Sequence, residues 1–186
     1  MEVFDALYSR QSIPKVRPDP LPRELIERLL NAAAQAPNHH RNRPWRFIVL
    51  SGQARQRLGE IAAQALARRD PNATTAALDS ERKKPLRAPV IIAVAIDLPD
   101  QPKISEIENI CAGSAAVENL LLAAQAEGLG AVWRTGAAVL DADVKVFLGL
   151  QPAQHLIALV YLGYPDGEIG LPQRPDYHDR TIWMED

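Results

Sequence analysis

The sequence predicts an α+β fold of stacked layers, and three observations predict it. Residues 90–97 and 156–162 are short β-branched apolar runs, the first uninterrupted, and they read as core strands. Residues 105–127 form a long helical segment that is apolar or small nearly all round, the mark of a helix with little solvent face. The glycine-rich turn at 128–136 follows that helix and opens a strand, the reverse of the strand–glycine–helix order of a dinucleotide fingerprint. Helices and strands mixed around a buried helix give layers of both kinds in one domain of 186 residues.

Residues 1–9 carry a helical stripe of Val3, Phe4, Leu7 and Tyr8. It exits into Arg10, Gln11 and Ser12, followed by Lys15 and Arg17, a donor set that suits a phosphate and equally suits a solvated turn. Pro22 fits the first turn of a second helix, with Leu25, Ile26, Leu29, Leu30, Ala33 and Ala34 on one face and Gln35 at its end. Pro37 stops that helix, since proline lacks the N–H and its ring clashes with the preceding turn. Residues 38–45 then hold His39, His40, Arg41, Arg43 and Trp45, a donor-rich loop between rigid elements, and residues 46–50 begin the first strand. Trp45 alone reads as core. The adjacent histidines do not read as metal ligands, because neighbouring side chains diverge and no Cys or carboxylate stands at ligand spacing.

A third helix covers about 54–69, with Leu58, Ile61, Ala62, Ala65 and Leu66 inward. Residues 70–87 are polar and lose clear period, so a mobile surface segment with some helix, suited to a lid, is expected. After the strand at 90–97, a loop leads to the long helix. Asp141 caps a short helix that runs through Leu148 and ends at Gly149. Residues 164–186 are rich in proline and charge and have no core pattern, so they are expected as an extended C-terminal arm rather than a second domain.

Apolar residues make up 47% and charged ones 24%, with net charge −2, so no global field favours nucleic acid or an anionic membrane. The basic clusters Arg41/Arg43/Arg46 and Arg82/Lys83/Lys84/Arg87 read first as solvated faces. One cysteine, Cys111, allows no internal disulfide, and the apolar run at 88–96 is too short to span a bilayer. A cytoplasmic protein is expected. The usual nucleophile, P-loop and metalloprotease motifs are absent, which leaves donors without an acid–base pair: Arg10, Ser12, Gln35, His39, Arg41, Arg43 and Arg134. Such a set fits a site in which a cofactor carries the chemistry.

Arg10-Gln11-Ser12, Ala36-Pro37 with Pro44-Trp45-Arg46-Phe47-Ile48-Val49, and Gly128-Leu129-Gly130-Ala131-Val132-Trp133 together resemble the three sequence blocks of the nitroreductase family, in its order and spacing over essentially the whole chain. The chain is similar to the minimal YdjA-like branch. The resemblance implies a nitroreductase-like fold with a central mixed sheet flanked by helices, a homodimer, and non-covalent FMN at the subunit interface. It implies NAD(P)H as reductant and nitro compounds, quinones or similar small molecules as acceptors. Arg10, Gln11 and Ser12 would hold FMN from one subunit, Gln35 and His39 from the other, with Trp133, Arg134 and Thr135 along its ring and ribityl chain. Ala123, Ala124, Gln125, Ala126, Glu127 and Gly128 would lie where the nicotinamide nucleotide approaches. No residue is assigned a catalytic role of its own and no metal is implied.

The sequence departs from the family pattern at Pro14 and Val16, where a basic and an aromatic residue are common, and at Arg41 and Arg43, where amides are common. Lys15 is the substitute charge, and Arg174 in the tail is the alternative phosphate anchor. A flavin-binding dimer without turnover, or a sibling activity such as dehalogenation or flavin fragmentation, uses the same blocks.

Overall fold

A computed structural model describes residues 1–174 and 176–185. Four strands, β1 (Trp45–Ser51), β2 (Val90–Ile96), β3 (Gly130–Arg134) and β4 (His155–Gly163), lie in the order β1-β2-β4-β3. The helices are α1 (Val3–Ser9), α2 (Arg23–Ala33), α3 (Gln53–Arg69), α4 (Thr75–Lys83), α5 (Glu106–Ala126), α6 (Ala137–Leu140) and α7 (Ala142–Phe147). Every residue of β2 is buried, because its side chains alternate between two covered faces. Val90, Ile92 and Val94 pack with Leu25 and Leu29 of α2 and with Val117, Leu120 and Ala124 of α5. Ile91, Ala93 and Ala95 pack with Leu58 of α3 and Val144 of α7. Helices therefore sandwich the sheet, as the sequence predicts.

The mixed sheet is a correction. All three strand pairings are antiparallel, and the one parallel pairing is an isolated bridge from Ser12 to Ala131. The reason lies in the connections: α5 crosses from β2 to β3, which run the same way, and β4 then inserts between them running against both, so every paired neighbour is antiparallel.

Helix α5 starts on a full capping box, in which Ser105 accepts from the Glu108 N–H and Glu108 accepts from the Ser105 N–H. It ends where Gly128 takes φ 72°, a conformation that glycine adopts without steric cost. Asp141 caps α7 as expected, accepting from Asp143 and Val144 N–H, and Gly149 follows with φ 72°. The polar segment 70–87 contains α4, capped by Thr74 and docked on α3. Its low hydrophobicity reflects a helix whose outer side carries ion pairs, Arg82 with Glu60 and Asp79, and Lys84 with Glu81. Of the second basic cluster, Arg82 and Lys84 are thus paired on the surface.

The arm after β4 doubles back along the N-terminal segment: Val16 bridges Pro165, Arg17 N–H donates to Tyr164 O at 2.7 Å, and Lys15 pairs with Asp166 at 2.8 Å. Pro175 and Asp186, within the range expected as arm, lie outside the described residues. Among the described residues no helix is long and apolar enough to cross a membrane.

Close packing of α3 on α4 depends on Gly59, where an added Cβ would stand 2.3 Å from the Arg82 carbonyl oxygen. Gly59→Ala gains helix propensity yet should lower stability by about 1–3 kcal/mol, because the obstacle is backbone. Urea denaturation checks this. A raised midpoint would contradict the docking of α4.

Candidate functional site

The N-terminal segment reaches the sheet because two glycines leave room for it. A Cβ at Gly130 would meet Ile13 and Val16 at 2.9 Å, and one at Gly163 would meet Val16 at 2.8 Å. Ile13 N–H donates to Ala131 O at 2.9 Å, which pins Arg10, Gln11 and Ser12 along the free edge of β3. The arm completes this cluster. Gln11 Nε2 donates to Gly170 O, and the Arg174 guanidinium donates to the Arg10 carbonyl. Arg10 Nε lies 3.3 Å from Glu118 Oε1, within ion-pair reach but misaligned, so this buried nitrogen has no hydrogen bond. Ser12 is exposed, and Lys15 and Arg17 are engaged by Asp166 and Asp19. Lys15 is therefore committed elsewhere, and Arg174 is the cation brought to Arg10. Its position 164 residues along the chain leaves no local motif to reveal it.

The second group stands on the loop after α2. Gln35 is exposed and donates to Asn31 O at 3.2 Å. His39 packs edge-on to His40, with ring centroids 4.3 Å apart, and its Nε2 is 3.8 Å from Glu108 Oε1. Three non-glycine residues here have positive φ: His40 at 49°, Arg41 at 57° and Arg43 at 50°. A left-handed residue costs roughly 1–2 kcal/mol, so the surroundings must hold this shape. Asn38 Oδ1 accepts from Arg43 N–H at 3.0 Å. Asn42 Nδ2 donates to Asn109 Oδ1 at 2.6 Å, while Asn109 Nδ2 donates to Asp97 O at 3.0 Å. Asn109 is 1% exposed, so one buried amide ties the loop to α5 and to the end of β2. No pattern in the sequence marks Asn109, which sits in a helix read as apolar.

Hydrogen bonds from the Ser105 backbone and hydroxyl hold the Glu108 carboxyl below its ordinary value, with His39 and His40 adding a smaller pull. A lowered folded-state value contributes stability above the ordinary carboxylate range. That contribution is lost as pH falls through the lowered value.

The third group divides across β3. Trp133 joins the core against α2 and α5 and donates through Nε1 to Ile157 O at 3.1 Å. Arg134 turns to the opposite face, its guanidinium carbon 5.4 Å from the centre of the Tyr161 ring. Thr135 is exposed beyond the strand end. In the turn expected to meet a nicotinamide nucleotide, Ala124 is fully buried, Gln125 donates to Ser9 Oγ at 3.1 Å, and Glu127 accepts from Arg28 at 2.8 and 3.0 Å. Ala123, Ala126 and Gly128 leave mainly backbone for such a contact. Within one chain, Arg10, Gln11, Ser12 and Arg174 come together, whereas Gln35 and His39 belong to a separate loop. Among the described residues no three His, Cys, Asp or Glu side chains are grouped to hold a metal ion.

The model of the Nitroreductase family matches residues 7–164, which takes in Arg10, Gln11 and Ser12, the strained loop and β3. The chain belongs to the nitroreductase family. YdjA of Escherichia coli strain K12, provisionally named an NAD(P)H nitroreductase, is 30% identical over 167 residues, 89% of each chain. A nitroreductase-like protein of Bacillus cereus superposes with TM-score 0.85 at 23% identity, covering 100% of this chain and 97% of that one. A provisionally named nitroreductase of Desulfovibrio desulfuricans, solved in complex with FMN, superposes with TM-score 0.74 at 27% identity, covering 100% and 98%. The nitroreductase layering is thus kept across the whole chain, including the arm that carries Arg174.

Asn109→Ala leaves Asn42 without its acceptor in a buried position. It should cost about 1–3 kcal/mol and speed amide exchange at residues 38–43 more than in the sheet. Chemical denaturation with hydrogen exchange checks this, and an unchanged loop would show that Asn109 does not hold it.

Proposed function

We propose that this nitroreductase-family chain is an FMN-dependent oxidoreductase that draws hydride from NAD(P)H and reduces nitro compounds, quinones or similar small acceptors. The observation that carries the reading is the donor cluster on the free edge of β3: Arg10 with its buried, unbonded Nε, the exposed Ser12, and Arg174 folded back beside them. The Arg10 guanidinium, that of Arg174 bonded to the Arg10 carbonyl, and the Ser12 hydroxyl supply the donor types that suit a phosphate monoester. One such cluster, without a dinucleotide turn, favours FMN over FAD, and the FMN complex of the Desulfovibrio desulfuricans relative supports the same choice.

In this reading Arg10, Ser12 and Arg174 hold the phosphate, and Gln11 orders the arm through Gly170. Thr135 and the backbone of Trp133 and Arg134 line the ring and ribityl chain. Bound there, FMN would supply the electron-carrying chemistry between the nicotinamide and the acceptor. Gln35 and His39 offer an amide and an imidazole to the polar edge of the ring from a second copy of the chain. The unpaired Arg41 and Arg43, with no ion pair among the described residues, add positive charge near that edge, which favours electron-rich forms and anionic acceptors.

A second copy is supported by what one copy exposes. On α1, Phe4 is 67% and Tyr8 72% exposed, and at the end of the arm Ile182, Trp183 and Met184 are 88%, 74% and 94% exposed. Large apolar groups at this density on a lone chain need a partner surface, and a symmetric dimer supplies one.

Arg10→Ala should weaken FMN retention by roughly one to two decades while leaving the melting transition of the flavin-free protein nearly unchanged. Fluorescence of released flavin checks this, and near-normal retention would place the phosphate elsewhere. Sharing of the site is tested by refolding Arg10→Ala together with His39→Ala. Mixed dimers carry one intact site, so activity should exceed that of either parent. Chain exchange without any gain would put both residues on the same subunit's flavin.

A further inference from the structure

On the face of β3 turned away from Trp133, a partly enclosed cavity of about 180 Å³ lies between α3, α4 and the sheet. Arg134, Tyr161, Arg69, Lys84 and Glu81 line it, set among apolar carbons of α3 and β4. Its charges do not balance. Glu81, its one lining acid, is held by Lys84, and among the described residues Arg134 has no carboxylate partner and no hydrogen bond at its buried Nε. The Tyr161 ring covers one side of the guanidinium, which offsets part of its desolvation but leaves the N–H groups unmatched. Burial pushes the Tyr161 hydroxyl above its ordinary range, with Arg134 and Arg87 opposing, so it stays a neutral donor. A planar guanidinium fork and a phenol meet there, and the one lining acid is already taken up by Lys84.

We propose that this cavity is a second binding site, for a small planar carboxylate, distinct from the phosphate cluster on the free edge of β3. The guanidinium fork matches a carboxylate in its own plane. The apolar walls suit a flat carbon skeleton, and a cavity of about 150 Å³ is already enough to admit benzene. The Arg10 cluster lies at the strand edge whereas the cavity lies under the sheet face, and the stretch Arg134–Thr135, read above as flavin lining, borders both.

The probe is benzoate, titrated by calorimetry into the purified protein with whatever flavin it carries, with benzamide as the neutral isostere. The expected result is saturable binding of one benzoate per chain and at least tenfold weaker binding of benzamide. Arg134→Gln should weaken benzoate at least tenfold. Ala65→Leu, which fills the cavity from α3, should abolish binding. Lys84→Gln, at a half-exposed side chain, leaves the Glu81 carboxylate uncompensated beside the cavity, so it should weaken binding several-fold, with a melting transition recorded for each variant. Flavin content is read in every sample. Absence of benzoate binding, equal affinity for benzamide, full affinity in Lys84→Gln together with Arg134→Gln, or displacement of FMN by benzoate would each overturn the proposal.

Discussion

The whole arrangement depends on the complete burial of β2. A strand whose seven residues all avoid water must be covered on both faces, so the sheet cannot rest on one layer of helices. Helices α2 and α5 take one face, and α3 and α7 take the other. At roughly 25 cal/mol per Å² of apolar surface buried, this two-sided core is the dominant stabilising term. It also fixes where polar groups can gather, namely at strand ends and along the free edge of β3. The Arg10 cluster and the strained histidine loop stand at those two places.

The loop at 38–43 is the strained part of the fold. Three left-handed residues in succession with one interruption would relax if free, and a buried amide at Asn109 holds them by bonding Asn42 and the end of β2 together. The helix that supplies Asn109 is the one whose small residues allow close packing. A Cβ at Gly113 would come 2.0 Å from Ile96 Cδ1, so α5 lies tight on β2, the strand beyond whose end Asn109 bonds the Asp97 carbonyl. Core packing and loop geometry therefore share one helix.

Much of this was legible in the sequence, for identifiable reasons. The strands at β2 and β4 announce themselves because burial on both faces leaves no polar interruptions, and the caps Asp141 and Gly149 mark α7 by local chemistry. The three blocks carried the family, whose model matches residues 7–164. Less was legible where long-range contact decides. The antiparallel sheet depends on β4 inserting between β2 and β3, which no local pattern records. Residues 70–87 lack a period because α4 has ion pairs outside and small contacts inside, and its docking rests on the single glycine at 59. Arg174 reaches Arg10 through the fold of the arm, and Arg134 parts from Trp133 because strand neighbours face opposite ways.

The central claim is that the donor cluster on β3 serves a flavin through which a nicotinamide reduces an external acceptor. The most direct test follows the visible spectrum of the purified protein under anaerobic conditions. The account predicts a flavin absorbance band that bleaches on addition of NADH or NADPH and returns when a nitro compound or quinone is added. A flavin-loaded protein that dithionite bleaches, but that neither nicotinamide reduces, would contradict it.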